Sequence, residues 1–162
     1  MIILTGPTAS GKNTIAGFIA AKREQCAVVD FDLVRKMFAH PHKTPWDGEE
    51  GGNQQRLGVA MVCSLAKQFS ENGWEVIILD VVDNNTIDTY KDLLNDYKPR
   101  IIQLLPSYEV AKERFDKRGP VLTEEELKNV YKEQAEFTSY DDKIDNSFLS
   151  PVDVAEEIIK LM

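Results

Sequence analysis

The sequence predicts an α/β fold in which helices cover both faces of a parallel β-sheet. Short apolar runs typical of buried strands recur along the chain and alternate with helical patterns. This alternation is the order that builds parallel sheets. The first apolar run also leads directly into a glycine-rich loop followed by a helical pattern, the arrangement of a phosphate-binding loop.

Five runs are predicted to form the strands, and the last of them is weak: Ile2 to Thr5, Ala27 to Asp30, Val76 to Asp80, Arg100 to Leu105 and Lys143 to Asp145. Helices are predicted from about Lys12 to Arg23 and from about Asn53 to Asn72, where Asn72-Gly73 ends the helix. The longer helix should carry an inward stripe of Leu57, Met61 and Leu65. Further helices should follow Ser107, Thr123 and Ser150, with capping signals at Thr123 and Ser150.

Length and charge limit the possible functions. The 162 residues fit a single domain, and no apolar run approaches the length of a membrane span. The 19 basic and 27 acidic residues give a net charge of −8, which disfavours a polynucleotide partner. The two cysteines fit neither a zinc site nor a disulfide scaffold and are expected to be buried free thiols. We therefore expect a soluble cytoplasmic protein that acts on a small molecule.

The loop after the first strand is predicted to bind a nucleoside triphosphate. Gly6 and Gly11 stand where a Cβ would block the approach of phosphate oxygens to backbone N–H groups. Lys12 can reach the outer phosphates, and the following helix directs its positive end at the same anion. The predicted nucleotide-binding residues are Gly6, Pro7, Thr8, Ala9, Ser10, Gly11, Lys12, Asn13 and Thr14.

One position departs from the usual phosphate-loop pattern. Asn13 follows the lysine where a serine or threonine hydroxyl commonly ligates Mg²⁺. An amide oxygen can face the metal directly or through water, so Asn13 remains a metal candidate. Thr14 is the candidate for the α-phosphate.

Carboxylates follow the second and third strands at the sheet edge where α/β proteins bind ligands. Asp30 and Asp32 lie on one side of the chain, so one can hold the water shell of Mg²⁺ while the other accepts a proton from an attacking hydroxyl. A helix cap is the alternative role for Asp32. Asp80 is a further metal candidate, or a cap or turn residue.

Two arginines are predicted to act from a mobile lid at about residues 114–137. Arg114 and Arg118 share one helical face, and Gly119-Pro120 breaks the helix after them. Such arginines can spread over the transferring phosphoryl group. The alternative is a solvated charge ladder with Glu109, Glu113 and Asp116.

The irregular stretch from Ala39 to Gly52 is too long and too rich in Gly and Pro for a plain connector, so we expect it to carry function. Trp46 can stack on a substrate ring or anchor the loop, and Arg56 supplies a polar group for the acceptor. His40 and His42 are interpreted as ordinary surface histidines.

Taken together, the phosphate loop, residues 30–35, Asp80 and the arginine lid resemble the small P-loop kinases. This superfamily includes shikimate and gluconate kinases, chloramphenicol phosphotransferase and the kinase domain of polynucleotide kinase. The resemblance implies a sheet of order 2-3-1-4-5, ATP with Mg²⁺, and transfer of the γ-phosphoryl group to an acceptor alcohol. It places Asp32 at the position of the general base and Arg35 where an arginine orients the acceptor.

Two classes of function stay open at this point. The first is a kinase acting on a small hydroxylated molecule, with a 5′-hydroxyl polynucleotide kinase as a variant. The second is a nucleotide-dependent switch that hydrolyses ATP slowly. A proton-accepting Asp32 favours the kinase, because a switch positions water and needs no base for an alcohol.

Overall fold

A five-stranded parallel sheet forms the centre of the computed structural model, which describes residues 1–119 and 122–162. Its order is β2-β3-β1-β4-β5, and all four strand pairs are parallel. The strands are β1 (Ile2–Thr5), β2 (Cys26–Asp30), β3 (Glu75–Leu79), β4 (Arg100–Leu104) and β5 (Asp142–Ile144). The predicted fold class and strand order are confirmed.

Helices lie against both faces of this sheet. They are α1 (Lys12–Ala20), α2 (Phe31–Arg35), α3 (Gly48–Glu71), α4 (Ile87–Leu93), α5 (Tyr108–Arg118), α6 (Glu124–Glu136) and α7 (Pro151–Leu161). Because side chains alternate along β1, Ile3 packs with the α3 and α4 cluster while Ile2 and Leu4 pack with α1 and α7. The two buried clusters fix β1, and with it the loop that follows, at the middle of the sheet.

The long helix differs from its prediction at its start and in its buried face. It begins at Gly48 rather than Asn53, and Leu57, expected inside, is 53% exposed. The buried face consists mainly of small and β-branched residues: Gly51, Gly58, Val59, Val62, Cys63 and Ala66. A Cβ on Gly58 would lie 3.0 Å from the Phe31 ring. Small side chains thus let α2 pack closely against α3 here. A prediction based on large apolar residues does not identify this buried face.

Smaller differences have local causes. Helix α1 ends at Ala20, before Arg23, and α4 was not predicted because only Ile87 and Tyr90 of its seven residues are buried. The caps at Thr123 and Ser150 are confirmed, whereas Cys26, expected to be buried, is partly exposed on the edge strand. In the described part of the chain, no helix is both long and apolar enough to cross a membrane.

Candidate active site

The phosphate loop lies between β1 and α1, at the carboxyl edge of the sheet. Gly6 has a φ of 146°, and a Cβ there would lie 2.2 Å from the Leu104 carbonyl oxygen. Gly11 has a φ of 96° and caps the N-terminus of α1. Both positions therefore require glycine, as the motif predicts.

Lys12 lies at the electrostatic centre of the site. Its Nζ donates to the carbonyl oxygens of Gly6 at 2.6 Å and Pro7 at 3.1 Å. Burial lowers the pKa of Lys12 to about 8, and the charge of Arg118 lowers it slightly further. Three nearby carboxylates oppose this shift, namely Asp32, Asp80 and Asp30. The predicted cation and all three predicted carboxylates are thus brought together.

The loop is built to hold an anion. The Ser10 hydroxyl is buried and has no hydrogen-bond partner in the described residues. Helix α1 begins directly after Gly11, so its first N–H groups lie beside Lys12. A triphosphate would supply the acceptors that these donors lack, and the residues present fit a bound nucleotide.

Asp30 and Asp32 have different environments. Asp30 caps α2, because its Oδ1 accepts the Asp32 backbone N–H at 2.9 Å. Its Oδ2 accepts the Asn13 side-chain amide at 2.7 Å. Asp32 is exposed in the first turn of α2. The capping role considered for Asp32 therefore belongs to Asp30, and this alternative for Asp32 was wrong.

Arg35 is almost fully buried, with 6% of its surface exposed. Its guanidinium donates to Gln55 Oε1 at 3.0 Å and to the Lys43 carbonyl oxygen. Burial lowers the pKa of Arg35, and Asp32 and Asp80 are near enough to oppose this. Arg35 therefore connects the helix that carries Asp32 to the segment that follows it.

The stretch predicted to be irregular, Ala39 to Gly52, is so only in part, because residues 48–52 begin α3. The irregular segment, residues 36–47, is folded against the start of α3. Gln54 accepts the Lys43 N–H at 3.0 Å and donates to the Pro41 carbonyl oxygen at 2.9 Å. Trp46, 52% exposed, lies near Glu126 of α6; the pKa of Glu126 is lowered mainly by Thr123 and to a lesser extent by Trp46. This segment and α6, a helix of the predicted lid, thus meet at Trp46.

The remaining candidates of this region are on the surface. Arg56 is exposed and donates to Asn53 Oδ1 at 2.5 Å on its own helix. His40 and His42 are exposed as well. A contact between Arg56 and the acceptor therefore stays a prediction.

Asp80 is buried at the end of β3, with 5% of its surface exposed. Tyr90 OH donates to Oδ2 at 2.8 Å and the Val81 N–H to Oδ1 at 2.7 Å. Burial raises the pKa of Asp80 to about 7, and the Asp32 charge adds to this rise while Tyr90, Val81 and Lys12 oppose it. The described residues contain no group of three or more His, Cys, Asp or Glu that could hold a metal by itself. Mg²⁺ fits this arrangement as an ion bound jointly with phosphates, since it commonly uses one or two carboxylates.

Neither arginine of the predicted lid takes part in a described ion pair. The described ion pairs of α5 join Lys112 to Asp116 and to Glu124, and Lys117 to Glu113, and Arg114 contributes less than Lys117 to the lowered pKa of Glu113. Arg114 instead donates to the Asn146 carbonyl oxygen at 2.9 Å, and Asn146 donates its amide to the Ser10 carbonyl oxygen at 2.8 Å. Arg118 is exposed and close enough to affect Lys12.

The lid prediction combines described and undescribed residues. Gly119 has a φ of 91°, and a Cβ there would meet nothing within 4 Å. Pro120, the other residue of the predicted hinge, lies outside the described residues. The far end of α6 is anchored, because Gln134 donates to the Val82 carbonyl oxygen at 2.7 Å and accepts from Thr5 Oγ1 at 3.4 Å.

Sequence reasoning missed three residues that support the site: Tyr90, Gln134 and Asn146. Tyr90 and Gln134 look like ordinary helix residues. The partners of Gln134 are far along the chain, whereas Tyr90 donates to Asp80, ten residues before it. Asn146 offers a usable signal, because it lies two residues after the last strand and therefore at the carboxyl edge of the sheet.

A family model described as chloramphenicol phosphotransferase-like protein matches residues 1–162. The chain belongs to this family. The predicted resemblance to small P-loop kinases and the prediction of a kinase are thereby confirmed. A search of curated proteins found no match.

Solved structures share the fold at low sequence identity. A tunicamycin resistance protein from Deinococcus radiodurans has a TM-score of 0.73 at 16% identity, over 99% of this chain and 93% of that one. Shikimate kinase from Acinetobacter baumannii, in complex with shikimate, has a TM-score of 0.69 at 20% identity, over 99% and 90%. APS kinase from Mycobacterium tuberculosis, in complex with AMPPNP and APS, has a TM-score of 0.69 at 13% identity, over 99% and 96%.

Proposed function

We propose that this protein transfers the γ-phosphoryl group of ATP to a hydroxyl of a small-molecule acceptor, with Asp32 as the general base. The observation that carries the proposal is the contrast among the three carboxylates around Lys12. Asp30 caps a helix and Asp80 is buried, whereas Asp32 is exposed. Among the three, Asp32 is the one whose surroundings suit proton transfer to and from an acceptor.

The nucleotide would bind along the phosphate loop, residues 6–14. Lys12 exchanges its contacts with the Gly6 and Pro7 carbonyl oxygens for the outer phosphates, a change from neutral to charged acceptors. Arg114 and Arg118 would bind the phosphates from the lid side. Asn146 accepts from Arg114 and donates to the Ser10 carbonyl oxygen, so it connects Arg114 to the phosphate loop.

The chemical step uses one proton acceptor and one leaving group. Asp32 takes the proton of the acceptor hydroxyl as that oxygen forms a bond to the γ-phosphorus. The bond from this phosphorus to the β,γ-bridging oxygen breaks, and ADP leaves with the electron pair. Arg35 contributes by fixing α2 against residues 36–47. This segment would contact the acceptor through Trp46, together with Arg56 of α3.

Mg²⁺ would be held near Asn13, Asp30 and Asp80, and when bound it neutralises charge on the β- and γ-phosphates. Carboxylate and amide oxygens are hard ligands suited to this ion.

A small acceptor is favoured over a polynucleotide by the charge at the entrance. The start of α3 carries Asp47, Glu49 and Glu50, and the start of α6 carries three further glutamates, Glu124 to Glu126. Asp47 lies close enough to Glu126 to raise its pKa, against the larger lowering by Thr123. These acids would repel a phosphate backbone. Shikimate and APS, the ligands of two structural neighbours, are small molecules.

The deciding experiment is a transfer assay with γ-labelled ATP. Acceptors should include sugars, nucleosides, aminoglycoside- and amphenicol-type alcohols and 5′-hydroxyl oligonucleotides. We expect label in a small alcohol, and none in that product with Lys12→Ala. Transfer to the oligonucleotide alone would establish the polynucleotide alternative. Release of label only as inorganic phosphate would favour the switch ATPase.

A further inference from the structure

The side chain of Asn13 forms a direct connection between the phosphate loop and the helix that carries the base. Its Nδ2 donates to Asp30 Oδ2 at 2.7 Å, and Asp30 Oδ1 accepts the Asp32 N–H at 2.9 Å. One carboxylate therefore joins the second residue of α1 to the first turn of α2. No other contact described above connects these two helix starts so directly.

The chemistry of Asp30 fixes the orientation of the Asn13 amide. An ionised carboxylate only accepts hydrogen bonds, so the NH₂ group of Asn13 must face it. The amide oxygen is then the end directed away from Asp30. Like a hydroxyl, the amide can both donate and accept hydrogen bonds, but its donors lie on Nδ2 and its acceptor is Oδ1.

We propose that Asn13 and Asp30 form a polar link through which metal and nucleotide binding at the phosphate loop positions Asp32. Asn13 Oδ1 faces the Mg²⁺ or one of its waters, and Nδ2 holds Asp30. Asp30 would then act on the Mg²⁺ site through Asn13 rather than as an independent ligand, and it positions Asp32 through the cap of α2. The inference rests on the proposed function only for the role of Asp32.

The test compares variants that separate these roles. Asp30→Ser keeps a good N-cap for α2 but cannot reach Asn13 as the longer carboxylate does. Asn13→Asp keeps an oxygen ligand for Mg²⁺ but places two carboxylates against each other. Asn13→Ala removes both functions of the amide, and the double variant Asn13→Ala with Asp30→Ser completes a thermodynamic cycle.

The first readout is the binding of AMPPNP, measured by calorimetry with Mg²⁺ and with EDTA. We expect Asn13→Ala and Asp30→Ser each to lower the Mg²⁺-dependent gain in affinity at least about tenfold, the size of one lost hydrogen bond to a charged group. The double variant should lose no more than the worse single variant. Additive losses would show that Asp30 binds the metal independently, and unchanged gains in both Asn13→Ala and Asp30→Ser would show that the link has no role.

The second readout is hydrogen exchange of the Asp32 amide without nucleotide. We expect Asn13→Asp to accelerate it about five- to tenfold, as one weakened hydrogen bond implies. Mg²⁺ and AMPPNP should slow this exchange in the wild type but not in Asn13→Ala. Equal exchange in Asn13→Asp and the wild type would overturn the proposal. Neither readout uses an acceptor, so a failure of phosphoryl transfer leaves this test intact.

Discussion

The buried carboxylate of Asp80 should make the protein less stable as pH rises through neutrality. Its pKa rises from 3.8 to about 7, chiefly because burial disfavours the charge. The folded state therefore binds this proton more tightly than the unfolded chain does. The stabilisation it brings is fully present below pH 4 and is lost as pH rises through about 7.

The size of the effect follows from this difference in pKa. At about 1.4 kcal/mol for each pKa unit, a rise of about three units corresponds to about 4 kcal/mol in the free energy of unfolding. Asp80→Asn removes the titration. The stability of the variant relative to the wild type should therefore increase by most of this amount between pH 4 and pH 7.

Urea unfolding followed by circular dichroism, without nucleotide or Mg²⁺, measures this difference. Staying at or below pH 7 keeps Lys12, whose pKa is about 8, mostly charged. Asp88→Asn is the matched control, because Asp88 is exposed on the nearby helix α4. A difference between Asp80→Asn and the wild type that is constant with pH, or that falls as pH rises, would refute the reasoning.

Three further substitutions test the loop and the lid. Lys12→Ala should lower ATP affinity or turnover at least tenfold, since the loop loses a charge-assisted contact of about 1.5 to 3 kcal/mol; calorimetry that finds both unchanged would contradict its role. Gly6→Ala should destabilise the fold and abolish nucleotide binding, because its Cβ would lie 2.2 Å from a carbonyl oxygen of β4. Gly17→Ala is its control, since a Cβ there meets nothing within 4 Å, and equal melting temperatures for the two would argue against the clash. Arg118→Ala should keep its melting temperature and lose about a thousandfold in turnover if the arginine faces the transferring group, whereas Lys117→Ala, on the ladder, should keep both.

The parts of the site that could be predicted depend on local spacing. Glycine and lysine positions define the phosphate loop. The change from an apolar run to an aspartate, at Val29-Asp30 and at Leu79-Asp80, marks where a strand reaches the sheet edge. Such signals need only a few consecutive residues. The strand order came from the resemblance, since spacing along the chain does not determine which strands pair.

The parts that were missed depend on contacts between distant segments. Asn146 forms a hydrogen bond with Ser10, 136 residues away in the sequence, and Gln134 forms one with Thr5, 129 residues away. Leu57 was wrongly placed inside because large apolar residues guided the prediction, while close packing at Gly58 decides the buried face. The cap was considered as an alternative role for Asp32 rather than for Asp30, because the start of so short a helix is hard to locate from sequence.

The most direct test of the account is the fate of the γ-phosphoryl group in water enriched in ¹⁸O. Phosphorus NMR distinguishes a phosphate ester formed with an acceptor alcohol, free of label from water, from inorganic phosphate that has gained ¹⁸O by hydrolysis. We predict that the ester dominates with an accepted alcohol and that Asp32→Asn forms it at least about 100-fold more slowly, with nucleotide affinity nearly unchanged. Labelled inorganic phosphate as the only product, or equal ester formation by Asp32→Asn, would contradict the central claim.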